Sequence, residues 1–207
     1  MIQCAVIDYG LGNVFSVKNA LKKIGVDASI TSDPDEIRQA AFAILPGVGA
    51  FGQASKRVVD KPIGNAFVER VYENKPSLGI CVGMQLLFEE GVEFGRFPGL
   101  GLMSGRIGPV LEQLDNKATR VPLIGWMPLK LNPDHVKTKL FAGLSDFYFV
   151  HSYSAQNTNP VEVVAKSHDG IVAAVALGNL VGVQFHPERS GENGLALLKR
   201  FFGRASE

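Results

Sequence analysis

The chain has 207 residues, of which 46% are hydrophobic and 20% charged, and its formal net charge is +1. That length supports one large domain with a sizeable core, and the scattered, balanced charge leaves no basic face for nucleic acid or an anionic membrane. Two cysteines, Cys4 and Cys81, lack metal-like spacing and argue against a disulfide scaffold or a zinc site, so neither a metal nor a cofactor is expected.

The N-terminus, MIQCAVIDYG, has no basic region and no small-residue cleavage site, so it reads as a first strand of a cytoplasmic protein. IQCAVID predicts that strand, a turn follows at Gly10–Gly12, and Val14, Val17, Leu21 and Ile24 are spaced for one helix face closed by Gly25. DASIT predicts a second strand, Asp33-Pro34 opens a short helix carrying Ile37, and AFAILP predicts a third strand. A helix with Pro62 near its start runs to about Asn74, PSLGIC predicts a fourth strand, and GMQLLFEE begins another helix. This alternation predicts an α/β fold with an open, mostly parallel sheet and helices on both faces.

After Gly91, glycine and proline become frequent. Short β-like runs at GRIGPV, GWMPLKL, FYFVHSYS, VEVVAKSH, IVAAVAL and LVGVQFH predict antiparallel hairpins added to the parallel core, with HDG at 168–170 as one turn. The longest apolar segment, GIVAAVALGNLVGVQF, is broken by Gly178, Asn179 and Gln184, which suits a hairpin better than a membrane span. A last helix is expected over about 193–202. No repeat or linker divides the chain, and residues 1–207 are expected to form a single domain.

Gly79-Ile80-Cys81-Val82-Gly83 has the form G-x-C-x-G, which suits a nucleophile raised on a sharp strand-to-helix turn. Such a turn would aim the next helix's amides at the sulfur and favour its thiolate. The pattern alone equally fits a packed cysteine. In VGVQFHPERS, His186 and Glu188 are two apart in an extended run, so a base and its orienting carboxylate can share one side; a surface turn with a solvated Glu188 fits the same residues. In ILPGVGAFG, the glycines around Gly47, Val48 and Gly49 let backbone amides approach a substrate oxygen, with the Val82 amide as a second donor; a plain glycine turn is the alternative. DYGLGNV lacks the spacing and the lysine of a phosphate loop, so nucleotide binding there is rejected.

IDYGLGNV, LPGVGAFG, LGICVGMQLLFE, GWMP, FYFVHSY and GVQFHPERS, in that order, resemble the triad-type, class I glutamine amidotransferases over nearly the whole chain. Many of these read Pro-Gly-Gly where this chain has Pro46-Gly47-Val48-Gly49, a form similar to the glutaminases that serve histidine biosynthesis. The resemblance implies a flavodoxin-like fold and a Cys81–His186–Glu188 triad that hydrolyses glutamine. It also implies substrate contacts at Gly49, Gln85 and Glu93 and at the backbone near Ser152 and Tyr153. The implied partner is a (β/α)8-barrel cyclase in a heterodimer, with Trp126 and Arg189 as interface candidates and with no nucleic acid or membrane involved. Met127 stands where asparagine is common and Arg189 where lysine is common. Trp126 reads as core or as an interface gate, and His151 as structural or near the interface rather than catalytic. Three other readings share features with this one: a sister glutaminase serving pyridoxal phosphate synthesis, a cysteine hydrolase of other small molecules or peptides, and, least favoured because Cys81, His186 and Glu188 are all present, a non-catalytic binding subunit.

Overall fold

The structure, a computed structural model, describes residues 3–114 and 120–203; Ile2 of the expected first strand lies outside them. The first half alternates as expected: β1 (Gln3–Ile7), α1 (Val14–Lys23), β2 (Asp27–Thr31), α2 (Pro34–Gln39), β3 (Phe42–Leu45), α3 (Phe51–Val58), α4 (Pro62–Tyr72), β4 (Ser77–Ile80) and α5 (Val82–Gln85). Local chemistry sets the boundaries. Gly25 ends α1 with φ +71°, and Asp33 caps α2 by accepting from the Asp35 amide while Pro34 occupies the first turn. β1 and β4 are nearly all buried because helices cover both faces of the sheet there, which is why they read as continuous apolar runs rather than alternating ones.

The second half adds β5 (Glu90–Gly91), β6 (Phe97–Pro98), β7 (Arg106–Pro109), α6 (Val110–Gln113), β8 (Leu123–Leu131), β9 (Asp146–His151), β10 (Tyr153–Gln156), β11 (Val163–Ser167), β12 (Val172–Leu177), β13 (Leu180–Val183) and α7 (Gly191–Phe201). A nine-stranded sheet runs in the order β2-β1-β3-β4-β13-β12-β11-β8-β9. The run from β2 to β13 is parallel, and β12, β11, β8 and β9 extend it antiparallel. β9 alternates strictly: Phe147, Phe149 and His151 point inward and Tyr148 and Val150 outward, so Phe147 and Phe149 join Phe185 in an aromatic core. A second, four-stranded sheet runs β10-β7-β5-β6.

Two expectations are corrected, and one segment that carried no expectation proves helical. The helix expected from GMQLLFEE ends at Gln85, because the carbonyls of Leu86, Leu87 and Phe88 accept from the amides of Leu100, Leu102 and Gly101 instead of continuing the helix. FYFVHSYS is two strands in different sheets, with Ser152 at the crossing between β9 and β10. The segment after Gly49 contains a helix of its own, α3, whose first amide, at Phe51, donates to Glu93 at 2.7 Å. Among the described residues, no helix is long and apolar enough to cross a membrane.

Candidate active site

β4 and β13 are parallel neighbours, and Cys81 follows the first while His186 follows the second. The two exits are tied together where the Cys81 amide donates to the Val183 carbonyl at 2.8 Å. Carboxyl ends of adjacent parallel strands are where open α/β sheets gather ligands. Cys81 has φ +55° and ψ −112°, a left-handed conformation costing a non-glycine residue about 1–3 kcal/mol, and the surrounding packing enforces it. The glycines on either side permit that packing. A Cβ on Gly83 would lie 1.8 Å from the Leu45 carbonyl oxygen, and one on Gly79 would lie 2.8 Å from the Gly83 carbonyl oxygen. The strained elbow expected from G-x-C-x-G is present.

His186 Nδ1 meets Glu188 Oε1 at 2.8 Å, with both side chains almost fully buried. Burial alone disfavours the imidazolium, but interactions with the Cys81 sulfur and the Glu188 carboxylate outweigh it and raise the His186 pKa to about 10. The charged form therefore prevails at neutral pH. The backbone of His186 is also fixed, its amide donating to the Tyr148 carbonyl at 2.9 Å and its carbonyl accepting from Ser190 Oγ at 2.6 Å. His186 Nε2 and Glu188 Oε2 are buried without a hydrogen-bond partner, so the site holds polar atoms that its own residues do not satisfy.

A cleft of about 280 Å³ lies over these groups, and its lining includes Val48, Gly49, Cys81, Val82, Gln85 and Glu93. Ser152, Tyr153, His151 and His186 complete the wall from the other side. Gly47 lies just behind this wall, where a Cβ would meet the Tyr9 hydroxyl at 2.5 Å and the Gly83 amide nitrogen at 2.8 Å. Gly49 has φ +90°, which opens the turn into α3. Glu93 reaches the same loop through its bond to the Phe51 amide. A larger cavity of about 490 Å³, between β10, β11 and β12, is lined by Gln113, Asn132 and Gln156, whose amides are already bonded to Ser154, Val163 and Pro109.

The sequence reading missed Gln184. It is fully buried, its Oε1 accepts from Gln85 Nε2 at 3.1 Å, and its Nε2 lies 3.8 Å from Cys81 Sγ. The available signal was a polar residue two positions before His186 in an otherwise apolar run. His151 is closer to the chemistry than expected: it lines the cleft, its Nδ1 lies 2.9 Å from the Tyr153 carbonyl, and burial pushes its pKa down to about 4. A carbonyl only accepts, so Nδ1 carries the proton of a neutral ring. Trp126 is 55% exposed and is therefore not core. It packs edge-on to Tyr148 at 6.2 Å, and the Arg189 guanidinium lies 5.5 Å from the same ring. Among the described residues, no group of three or more His, Cys, Asp or Glu side chains is arranged to hold a metal ion.

With this geometry in view, the likeness to known proteins is specific. The family described as glutamine amidotransferase class-I matches residues 5–205. The imidazole glycerol phosphate synthase subunit HisH of Pyrococcus furiosus is 44% identical over 97% of this chain and 98% of its own length. That of Bacillus licheniformis is 41% identical over 95% and 93%, and that of Sulfurimonas denitrificans 40% identical over 95% and 96%. Among solved structures, a glutamine amidotransferase superposes with a TM-score of 0.73 at 22% identity over 97% of each chain. A structure of PurLQS from Thermotoga maritima gives 0.74 at 20% identity over 97% of each chain, so both support the fold. This chain belongs to the class I glutamine amidotransferases, in the group of the imidazole glycerol phosphate synthase subunit HisH.

Proposed function

We propose that this chain hydrolyses the side-chain amide of glutamine at Cys81 and passes the ammonia to a separate cyclase subunit. One observation carries the reading: the strained Cys81 elbow and the His186–Glu188 pair end adjacent parallel strands and open into one cleft. The Cys81 sulfur attacks the amide carbon, and the developing oxyanion is met by backbone amides at Val48 or Gly49 and at Val82. His186, held charged by Glu188, gives its proton to the departing ammonia and leaves a γ-glutamyl thioester. It then takes a proton from the water that releases glutamate. Gln85, Glu93, Ser152 and Tyr153 line the cleft where the amino-acid end of glutamine would lie, with Glu93 facing its ammonium.

The full-length similarity to HisH subunits supports a (β/α)8-barrel cyclase as the partner in a heterodimer. That partner would use the ammonia to convert N'-(5'-phosphoribulosyl)-formimino-AICAR ribonucleotide into imidazole glycerol phosphate and AICAR. Direct transfer has a chemical basis, because free ammonia is mostly protonated at neutral pH and ammonium is not a nucleophile. The exposed cluster of Trp126, Tyr148 and Arg189, with Ile124 beside it on β8, is the surface we assign to the cyclase. Reconstitution with the cyclase tests the proposal. Cys81→Ala abolishes glutamine-dependent synthesis and spares ammonia-dependent synthesis; retained glutamine use would end the nucleophile assignment.

A further inference from the structure

The buried amides around Cys81 form a chain whose direction is fixed by hydrogen-bond chemistry. The Tyr153 main-chain carbonyl can only accept, and it takes one bond from His151 Nδ1 at 2.9 Å and one from Gln85 Nε2 at 3.0 Å. The second hydrogen on Gln85 Nε2 points to Gln184, so the Gln184 atom facing it must be the oxygen. With its oxygen so committed, Gln184 must present its NH2 group to Cys81 Sγ. The polarity runs from the nucleophile back to the Tyr153 carbonyl without an ambiguous link. Gln184 has no solvent exposure, so this donor stays in place without competition from water.

We propose that Gln184 is a thiolate-stabilising and positioning residue of the site, a role separate from that of the triad. Its N–H donates to the sulfur and favours the charged form of Cys81. Its oxygen meanwhile holds the Gln85 amide so that both Gln85 hydrogens are used and Gln85 offers only its oxygen to the cleft. The 3.8 Å separation is long for a nitrogen–sulfur bond and shortens when the sulfur carries charge. The inference rests on the glutaminase reading of Cys81 for its consequence, but not for its test.

The test is Cys81 alkylation by iodoacetamide in the full chain, followed from pH 6 to pH 10 by mass spectrometry. Gln184→Met fills the space without a donor. We expect its alkylation at pH 7 to be about fivefold slower than wild type, with the two profiles meeting at high pH, where the thiolate forms regardless. Gln184→Glu keeps an acceptor for Gln85 but puts a like charge beside the sulfur, and is expected to be slower by about tenfold or more. With the cyclase, both variants lose glutamine-dependent turnover and keep ammonia-dependent turnover. Alkylation within twofold of wild type at every pH, in a variant whose circular dichroism is native, would overturn the proposal. If the Met variant does not fold, the Glu variant is judged by the same criterion. Because alkylation needs no glutamine, a normal profile for Gln184→Met alongside intact glutamine turnover refutes the role of Gln184 alone. Slowed alkylation in Gln184→Met, alongside a wild-type chain that uses no glutamine with the cyclase, refutes the glutaminase reading alone.

Discussion

His151 makes the protein's stability depend on pH in a calculable way. The ring is 6% exposed, and its pKa falls from 6.5 to about 4, chiefly through burial and further through the charge of His186, against an opposing contribution from its bond to the Tyr153 carbonyl. As the pH drops below 6.5 the unfolded chain binds a proton here and the folded chain does not, so the folded state loses ground until the pH reaches about 4. The loss amounts to about 2 kcal/mol by pH 5 and about 3 kcal/mol by pH 4. His186 has the opposite sign: its raised pKa keeps its contribution complete below 6.5 and removes it only as the pH climbs toward about 10. Below pH 6.5 it therefore adds little to the acid slope, and what it gains between pH 7.5 and 6.5 is common to wild type and a His151 variant. His151→Asn retains a donor to the Tyr153 carbonyl and cannot titrate. It should cost roughly 1–2 kcal/mol at pH 7.5 through the space it leaves, yet lose about 2 kcal/mol less than wild type between pH 7.5 and pH 5. Urea unfolding at the two pH values gives the comparison. Equal acid losses in the two proteins would refute the claim that His151 is held neutral by burial.

Glu188→Gln keeps a hydrogen-bond acceptor for His186 but removes the charge, so glutamine turnover should fall about 10–100-fold, with the basic limb of its pH profile shifted to lower pH. Steady-state kinetics with the cyclase would detect this, and an unshifted limb would count against the assigned role of the carboxylate. Gly83→Ala puts a methyl group into the Leu45 carbonyl; stability measured in urea should fall by more than about 2 kcal/mol, and a smaller loss would mean that α5 can move away from β3 without penalty. Trp126→Ala should leave the isolated chain's unfolding temperature nearly unchanged while weakening cyclase binding about tenfold or more, because the indole lies largely in solvent. Unchanged affinity by calorimetry would remove Trp126 from the interface.

Most of the parallel half was legible because its signals are local. Asp33-Pro34, Gly25 and the spacing of Val14, Val17 and Leu21 each act within a few residues, and the structure places helix boundaries beside them. What the sequence did not disclose depends on distant partners. Nothing in GMQLLFEE says that its carbonyls will be taken by the amides of residues 100–102, so a four-residue helix read as a longer one. The continuous run FYFVHSYS carries no mark of the point where it changes sheets: β9 alternates, but β10 buries Ser154 and Ala155 side by side, which the residue types do not announce. Gln184 was overlooked for a related reason: a buried amide has meaning only through Cys81 and Gln85, about a hundred positions away.

The same long-range bonds join the outer face to the chemistry. Tyr148 lies under Trp126 and beside Arg189 on the outward side of β9, and its carbonyl receives the His186 amide while its own amide donates to Ser190 Oγ. That hydroxyl in turn donates to the His186 carbonyl, so the backbone of His186 is held at both ends through the residue whose ring forms the exposed cluster. A side chain swinging on the surface would leave those bonds intact, whereas a displacement of the β9 backbone could not occur without moving the imidazole against Cys81. Were the proposed cyclase to press on this face, it would change the alignment of the imidazole without touching glutamine, and a sub-ångström shift would suffice, because hydrogen bonds to a rigid strand do not stretch far before they break. This also gives physical weight to Arg189 in place of the lysine expected there. A planar guanidinium stacks on the Tyr148 ring in a way that a point-charge ammonium does not, which ties Arg189 more firmly to β9, the strand whose Tyr148 carbonyl holds the His186 amide.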